Sequence, residues 1–180
     1  MARVYLSLGS NLGDRLERLR AAIDRLRAAS EIRFVEASRL YEAEPWEGEP
    51  GEPLHRQWYL NCAVVIETPL APERLLGSLQ AIEGALGRTR PPGTPEASRF
   101  AARPVDIDIL FYDDRVISVS DALHVPHLLL HERAFVLRPL ADLAPELEHP
   151  ILYRTVRELL DDLDDEHEVR PGDFPPRWFD

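Results

Sequence analysis

Four strand-like and two helix-like segments follow one another along the chain as far as Tyr112. Apolar residues recur at every second position in the strand-like stretches and at helical spacing in the other two. The strand-like stretches are residues 3–9, 31–41, 59–68 and 103–112, and the helix-like ones are residues 14–26 and 72–86. The order βαββαβ predicts an α/β fold of the α+β kind, a ferredoxin-like sheet covered by helices.

The remaining residues predict a smaller C-terminal addition to this sheet. We expect a hairpin around Asp113 and Asp114, and one or two helices between residues 129 and 162. Together these segments predict a single domain over residues 1–160. Residues 161–180, DDLDDEHEVRPGDFPPRWFD, are acidic and then rich in proline and aromatic residues, so they are expected to form a loosely ordered tail.

The composition of the chain excludes several functional classes. None of its 21 basic residues is a lysine, so the chain cannot contain a P-loop, whose lysine binds phosphate. A formal net charge of −11 argues against a nucleic-acid partner. No apolar run approaches the ~20 residues that span a bilayer, and the single cysteine, Cys62, fits a reducing compartment. We therefore expect a cytoplasmic protein without membrane or nucleic-acid partners, and we favour a monomer.

Two carboxylates stand two residues apart in an otherwise apolar strand. Because side chains alternate along a strand, Asp106 and Asp108 are expected on one face, roughly 7 Å apart, and Leu110 and Tyr112 should continue that face. The preceding residues 88–103 contain four arginines and one glutamate, a local charge of +3. Carboxylates bind Mg²⁺ and arginine forks bind phosphate, so a metal-bound polyphosphate fits this segment. The alternative is that the arginines neutralise the two aspartates directly.

The strand at residues 59–68 carries a ring and an amide on one face. Tyr59 and Asn61 could stack on a flat heterocycle and hydrogen-bond its edge, although a half-buried strand often carries a tyrosine for packing alone. Leu60, Cys62 and Val64 share the opposite face. We therefore interpret Cys62 as a core residue rather than a nucleophile.

A pair of histidines follows Pro126. His127 and His131 have the i, i+4 spacing of a helical zinc pair, but the glutamate of the HExxH pattern and a third ligand are missing. Contact of His127 or Arg133 with phosphate is a second interpretation, and an ordinary surface role is a third.

Together these features resemble the 6-hydroxymethyl-7,8-dihydropterin pyrophosphokinase family of folate biosynthesis. The matching stretches are LSLGSNLGDR at residues 6–15, Tyr41 with YLN at 59–61, QAIEGALGR at 80–88, the segment from Arg99 to Asp108, and VPH at 125–127 with Arg133 and Phe135. The resemblance implies transfer of pyrophosphate from ATP to the hydroxymethyl group of 6-hydroxymethyl-7,8-dihydropterin, with release of AMP. It also implies two Mg²⁺ ions as cofactors.

The resemblance further assigns roles to residues on the nucleotide side. Asp106 and Asp108 would hold the two Mg²⁺ ions, and Arg88 and Arg103 would bind phosphate, so these four would be catalytic. The rest of the ATP site would consist of Gln80, Glu83, Ile109, His127 and Arg133.

On the pterin side, the resemblance implies a ring held between Tyr59 and Phe135, with Asn61 on its edge. Ala43 stands where the family usually has threonine, so a contact there must come from the backbone or from a neighbour such as Trp46. A second departure is the run Phe-Ala-Ala-Arg at residues 100–103. The family usually has an aromatic residue at the first of these positions, glycine at the second, either proline or arginine at the third, and arginine at the fourth.

Two other functions share part of this pattern. A Mg²⁺-dependent nucleotide enzyme of the nucleotidyl cyclase type would use paired acids on the same fold, but it would not need Tyr59, Asn61 and Phe135. A non-catalytic module would bind nucleotide without turnover.

Overall fold

The computed structural model describes residues 1–45, 58–87, 104–120 and 123–180. Its main strands are β1 (Ala2–Ser10), β2 (Arg33–Ala37), β3 (Tyr41–Ala43), β4 (Tyr59–Thr68), β5 (Asp106–Tyr112), β6 (Ile117–Ser120) and β7 (Leu123–Val125), and the short strands β8 (Glu148–His149), β9 (Arg154–Thr155) and β10 (Val169–Pro171) follow. Its helices are α1 (Arg15–Ala28), α2 (Pro72–Ala85), α3 (Ala134–Leu143) and α4 (Val156–Asp161), with a 3-10 turn at Leu130–Glu132.

The central sheet has the order β10-β3-β4-β1-β5, and β2 also pairs with β4. All of its pairings are antiparallel. With β2 and β3 taken as the second strand of the unit, this is the sheet order expected for βαββαβ connections, so the predicted ferredoxin-like α+β fold is confirmed. No helix in the described ranges is both long and apolar enough to cross a membrane.

Helices α1 and α2 cover one face of the sheet. The Asp14 side chain caps α1 by accepting a hydrogen bond from the Glu17 N–H at 3.1 Å, and Pro72 begins α2 at a position where its missing N–H costs nothing. Their buried apolar residues pack on the alternate residues of β1, β4 and β5 that point to this side, Cys62 among them. Cys62 is fully buried, and burial raises the pKa of its thiol above the usual range, which agrees with a core role.

The predicted strand over residues 31–41 is broken in two. The Ser38 backbone N–H donates to the Ala63 carbonyl at 2.9 Å, and the Ser38 hydroxyl accepts from the Ala63 N–H at 2.9 Å. The Ser38 hydroxyl therefore accepts the hydrogen bond that a backbone carbonyl would accept in a regular strand. The pairing register against β4 changes between β2 and β3 as a result. The shift aligns Tyr41 with Asn61 and Ala43 with Tyr59.

In the described ranges, α3 and α4 pack on part of the other face of the sheet. The buried apolar residues of α3 and α4 form a second hydrophobic cluster with this face of the sheet. Leu110 and Phe111 both belong to it, because the register between β1 and β5 shifts at Tyr5/Leu6. The expectation that Tyr112 shares the face of the aspartates is therefore wrong: Tyr112 joins the cluster under α1 and α2, and its hydroxyl donates to the Leu70 carbonyl.

The C-terminal segments differ from the expectation in two ways. Residues 113–114 form a turn, but the hairpin comes one element later, where β6 pairs with β7. The tail is not loosely ordered: β10 pairs with β3, and Trp178 is fully buried with its indole N–H donating to the Ser38 carbonyl at 2.8 Å. The proposed domain limit at residue 160 stays a prediction.

Candidate active site

The sheet face on which α3 and α4 pack changes from apolar to polar residues beyond the second hydrophobic cluster. Along β1 this face changes from Tyr5 to Ser7 and Gly9, and along β5 it changes from Leu110 to Asp108 and Asp106. On β4 the change runs from Val65 to Asn61 and Tyr59. The three strands therefore present their polar residues side by side at one end of the sheet.

The strand register places these residues in one row. Gly9 is aligned with Asn61 on β4 and with Asp106 on β5, and Asn61 is aligned with Tyr41 on β3. Since neighbouring strands are about 4.8 Å apart, Asn61 and Asp106 lie roughly 10 Å from each other at the backbone. An amide and a carboxylate thus face the same space across one glycine.

The prediction that Asp106 and Asp108 share a face is confirmed by burial. Both are partly exposed, whereas Ile107 and Ile109 between and after them are buried under α1 and α2. Among the described residues no group of three or more His, Cys, Asp or Glu side chains could hold a metal. Two neighbouring carboxylates of intermediate exposure still fit Mg²⁺, which keeps several waters and uses one or two carboxylates together with substrate phosphates.

Asn61 is a buried amide with an unused donor. Its side chain is 3% exposed, and its Nδ2 has no hydrogen-bond partner among the described residues. Buried side-chain amides normally have partners, so a donor without one on this polar part of the sheet face suggests a ligand that accepts from it. A Cβ on Gly9 would stand 2.8 Å from Asn61 Oδ1, and the Tyr59 ring borders the same space at 4.0 Å.

Phe135 and Ala43 border this end of the sheet from the side. Phe135 lies in the first turn of α3 and packs against the buried residues Tyr41, Ala43, Ala134 and Val169. Because Ala43 is aligned with Tyr59, the structure brings four of the residues assigned to the pterin into one neighbourhood, namely Tyr59, Asn61, Phe135 and Ala43. Trp46 lies outside the described residues.

His127 is held as a neutral imidazole with a defined tautomer. The Leu129 N–H donates to His127 Nδ1 at 3.2 Å, which leaves the ring proton on Nε2. Burial lowers the pKa of His127 to about 4; the positive charges of Arg133 and His124 also lower it, and Asp106 opposes them. The ring can therefore donate an uncharged hydrogen bond from Nε2, and its electrostatic neighbours include Arg133 and Asp106.

The zinc interpretation of His127 and His131 is not supported. Residues 128–129 form a turn and residues 130–132 a 3-10 helix, so the two rings do not stack on one α-helical face. The His131 ring instead meets the His149 ring edge-on, with centroids 6.3 Å apart.

The remaining nucleotide-site residues are less tightly gathered. Gln80 is exposed on α2, and Glu83 is buried on the same helix with its Oε1 accepting the Ile107 N–H at 2.8 Å. The Ile109 side chain points into the core beneath α1 and α2, away from the aspartate face, so only its backbone is available at the sheet edge formed by β5. Arg88 and Arg103 lie outside the described residues.

Two residues near the site are missed by the sequence analysis. Gly9 matters because of its alignment with Asn61, which depends on the register of β1 against β4. Asp165 hydrogen-bonds the first residue of α3 from a distant part of the chain. The glycine could have been noticed as the single residue without a side chain in an otherwise regular strand; the aspartate could not.

The fold and the site together define a class, a ferredoxin-like α+β protein that sets paired carboxylates beside an amide and aromatic rings on one sheet face. Residues 5–145 match the family model described as 7,8-dihydro-6-hydroxymethylpterin-pyrophosphokinase (HPPK). The chain belongs to this family.

Curated relatives agree with the family match. The chain is 43% identical over 164 residues to 2-amino-4-hydroxy-6-hydroxymethyldihydropteridine pyrophosphokinase of Methylorubrum extorquens, with 91% of this chain and 95% of that protein covered. It is 40% identical over 148 residues to the protein of the same name from Pseudomonas aeruginosa, with 82% of this chain and 84% of that protein covered.

The fold also resembles a solved structure, the Plasmodium falciparum HPPK-DHPS S436F/A437G/A613S triple mutant with SDX-DHP. The TM-score is 0.64 at 18% identity, over 89% of this chain. This chain spans only 44% of that longer one, so the likeness concerns the fold alone.

Proposed function

We propose that this pyrophosphokinase of folate synthesis transfers the pyrophosphoryl group of ATP to 6-hydroxymethyl-7,8-dihydropterin. The hydroxymethyl oxygen forms a bond to the β-phosphorus, the bond between that phosphorus and the oxygen bridging to the α-phosphorus breaks, and AMP leaves with the bridging oxygen. The hydroxyl proton is released. Family membership supports the reaction class, and the site residues support the choice of substrates.

The observation that carries the proposal is the row formed by Asn61, Gly9 and Asp106 on adjacent strands. Its length, roughly 10 Å from two strand spacings, is comparable with a two-ring heterocycle that carries a hydroxymethyl arm. A pterin whose edge is bonded by Asn61 would therefore direct its hydroxyl group toward the carboxylates. Holding both reactants in such an arrangement is itself a large part of catalysis, because it replaces a chance encounter with a fixed geometry.

On the pterin side, the chain supplies stacking and edge recognition. Tyr59 and Phe135 present partly exposed rings for the two faces of the heterocycle. The open Nδ2 donor of Asn61 would bond an acceptor on its edge. A substrate that lacks this acceptor would leave the amide buried without a partner, so the contact gives selectivity as well as affinity.

On the phosphate side, the residues supply charge and donors. Asp106 and Asp108 would hold Mg²⁺, which when bound neutralises phosphate charge and polarises the transferred group. His127 would donate from Nε2 without adding charge, and Arg133, Arg88 and Arg103 would supply guanidinium groups. No protein nucleophile is needed, because positioning and electrostatic stabilisation are sufficient for this class of transfer.

The nucleotide would lie along the outer edge of β5. Among the described strands this one lies at the end of the sheet, and Glu83 already occupies one of its outward N–H groups, that of Ile107. The Ile109 backbone and Gln80 would then contact the base from the same edge. We further propose that the enzyme acts in the cytoplasm as a monomer on these two small molecules.

The test is a product assay with the purified full chain, MgATP and the pterin. We expect AMP and the pyrophosphorylated pterin in equal amounts, and no AMP when either the pterin or Mg²⁺ is omitted. Formation of ADP or a cyclic nucleotide, or binding of both ligands without turnover, would refute the proposal. Asp114→Asn is a matched control, since Asp114 is an exposed carboxylate in the turn after β5 and should be dispensable.

A further inference from the structure

Helix α3 begins without a cap from its own sequence. The first N–H groups of a helix need acceptors, and the residue at the N-cap position, Arg133, has a side chain that can only donate. The Ala134 N–H instead donates to Asp165 Oδ2 at 2.9 Å, across 31 residues of sequence. A carboxylate at this end of a helix is also favoured by the helix dipole.

The Asp165 carboxylate is itself fixed in place. Its side chain is 3% exposed, its Oδ1 accepts the His167 N–H at 3.1 Å, and the same oxygen lies 2.7 Å from His167 Nδ1. Both oxygens are therefore engaged, one by the helix and one by His167. Such an acceptor holds the helix terminus in one position rather than serving as a mobile base.

The residue that Asp165 holds lies between two residues of the candidate site. Ala134 is flanked by Arg133 and Phe135, and the guanidinium carbon of Arg133 is 5.6 Å from the Phe135 ring centroid. Ala134 is buried against Tyr41, Ala43 and Val169, so its side chain is also fixed. The orientation of the Phe135 side chain thus depends on its neighbour Ala134, whose N–H is held by Asp165 and whose side chain is buried.

We propose that Asp165 is a positioning residue for the pterin site, acting through the backbone of Ala134 on Phe135. The segment that contains it lies beyond the family-matched residues 5–145, and β10 of the same segment packs Val169 beside Phe135. The C-terminal segment therefore supports the substrate site from the side of α3. This inference rests on the proposed function, because it takes the pterin as the molecule that Phe135 contacts.

The experiment compares Asp165→Ala, Phe135→Ala and the double variant in the full chain. We expect Asp165→Ala to raise the KM for the pterin about tenfold, of the order of a lost helix cap, with a smaller change in kcat and in the Kd for ATP, to which the neighbouring Arg133 would contribute. If Asp165 acts through Phe135, the same substitution should have little further effect in the Phe135→Ala background. An equal loss in both backgrounds would overturn the proposal.

Two controls separate positioning from general damage. Asp162→Ala removes an exposed carboxylate of the same segment, paired with Arg154, and should leave the KM for the pterin unchanged. Asp165→Asn keeps an acceptor oxygen without the charge; we expect a loss of about threefold, which also serves if Asp165→Ala does not fold. A wild-type KM in the folded Asp165 variants would refute the inference.

Hydrogen exchange keeps this inference distinguishable from the proposed function. In the ligand-free chain, Asp165→Ala should increase exchange at the Ala134 amide while the amides of β4 stay protected. If the wild-type chain forms no pterin-dependent AMP, the proposed function fails on its own. An Ala134 amide that stays protected in Asp165→Ala would overturn the positioning role whatever the enzyme turns over.

Discussion

Gly9 and Asn61 face each other across β1 and β4, and a methyl group on Gly9 would stand 2.8 Å from the Asn61 amide oxygen. No Cβ approaches an oxygen this closely without displacing it. The glycine therefore leaves room for one particular side-chain position on the neighbouring strand. The Nδ2 of the same amide has no partner among the described residues. The absence of a side chain at Gly9 is therefore needed to keep the Asn61 amide in the position from which it would bind a ligand.

Gly9→Ala should weaken pterin binding without unfolding the protein. The methyl group would push aside the end of the Asn61 side chain rather than backbone, so we expect a pterin Kd about tenfold higher and nearly unchanged ATP binding, both measured by calorimetry. Gly77→Ala is the matched control, because Gly77 lies in α2 with open space around it. That variant should bind normally and gain up to about 1 kcal/mol of stability. Equal loss of both ligands in Gly9→Ala would contradict this interpretation.

Asn61→Ala should reduce pterin affinity by about ten- to a hundredfold, the range for a lost hydrogen bond to a buried group. ATP affinity should stay close to that of the wild type. Because the Nδ2 donor has no partner among the described residues, its removal breaks no hydrogen bond of that group, and the change in unfolding free energy should be limited to the cavity that the buried side chain leaves. Calorimetry and chemical denaturation together test this; a large loss of stability with unchanged pterin binding would assign Asn61 to the core instead.

Asp106→Asn and Asp108→Asn should each abolish turnover and leave the fold intact. Asparagine keeps the shape of each side chain but lacks the carboxylate charge that Mg²⁺ needs, so the loss should appear in turnover and not in secondary structure, which circular dichroism checks. Activity is best followed as AMP release at limiting Mg²⁺, with Asp114→Asn alongside. Near-normal rates in both variants would show that the two carboxylates do not hold the metal.

The fold was predictable where periodicity alone decides it. The alternation of Asp106, Ile107, Asp108 and Ile109 gives two faces directly, and the structure confirms them. The break in the strand at Ser38 was not predictable, because it depends on a hydroxyl that hydrogen-bonds the partner strand. The face of Tyr112 was predicted wrongly for a similar reason. The register shift between β1 and β5 moves the side chains after it to the opposite face of the sheet.

The candidate site was predictable in its residue types more than in its arrangement. The spacing of Tyr59 and Asn61 indicates a shared face, but their nearness to Phe135 depends on how α3 packs on the sheet. Asp165 lies in a segment whose acidic composition suggested disorder. Its role follows from a single hydrogen bond to a helix far away in sequence, and no local pattern reports such a contact.

Glu83→Ala should destabilise the end of the strand that carries the aspartates. Glu83 accepts the Ile107 N–H inside the core, so its loss leaves a buried donor unsatisfied and should cost about 1–3 kcal/mol. Glu83→Gln retains an acceptor oxygen and should cost less. Gln80→Ala, an exposed change one turn earlier on α2, should stay within about 0.5 kcal/mol. Denaturant unfolding at pH 7 measures all three, and equal effects of the Ala and Gln variants would show that the acceptor is not what matters.

His127 should contribute to stability in a pH-dependent way. Its pKa is about 4 in the folded chain and near 6.5 when unfolded, so between these values the unfolded chain binds more protons. The contribution is therefore complete above pH 6.5 and is lost as the pH falls toward 4. We expect the wild-type unfolding free energy to drop by about 2 kcal/mol more between pH 7 and 4.5 than that of His127→Gln.

The same ring offers a test of its tautomer. Because Nδ1 accepts from the Leu129 N–H, the donor toward phosphate must be Nε2. A glutamine amide nitrogen reaches approximately the position of Nε2, whereas an asparagine amide reaches that of Nδ1. His127→Gln should therefore keep ATP affinity within about threefold of the wild type, and His127→Asn should lose about tenfold or more, as expected for a lost bond to a charged group. Equal ATP affinities for the two variants, measured by calorimetry at pH 7.5, would place His127 outside the phosphate site.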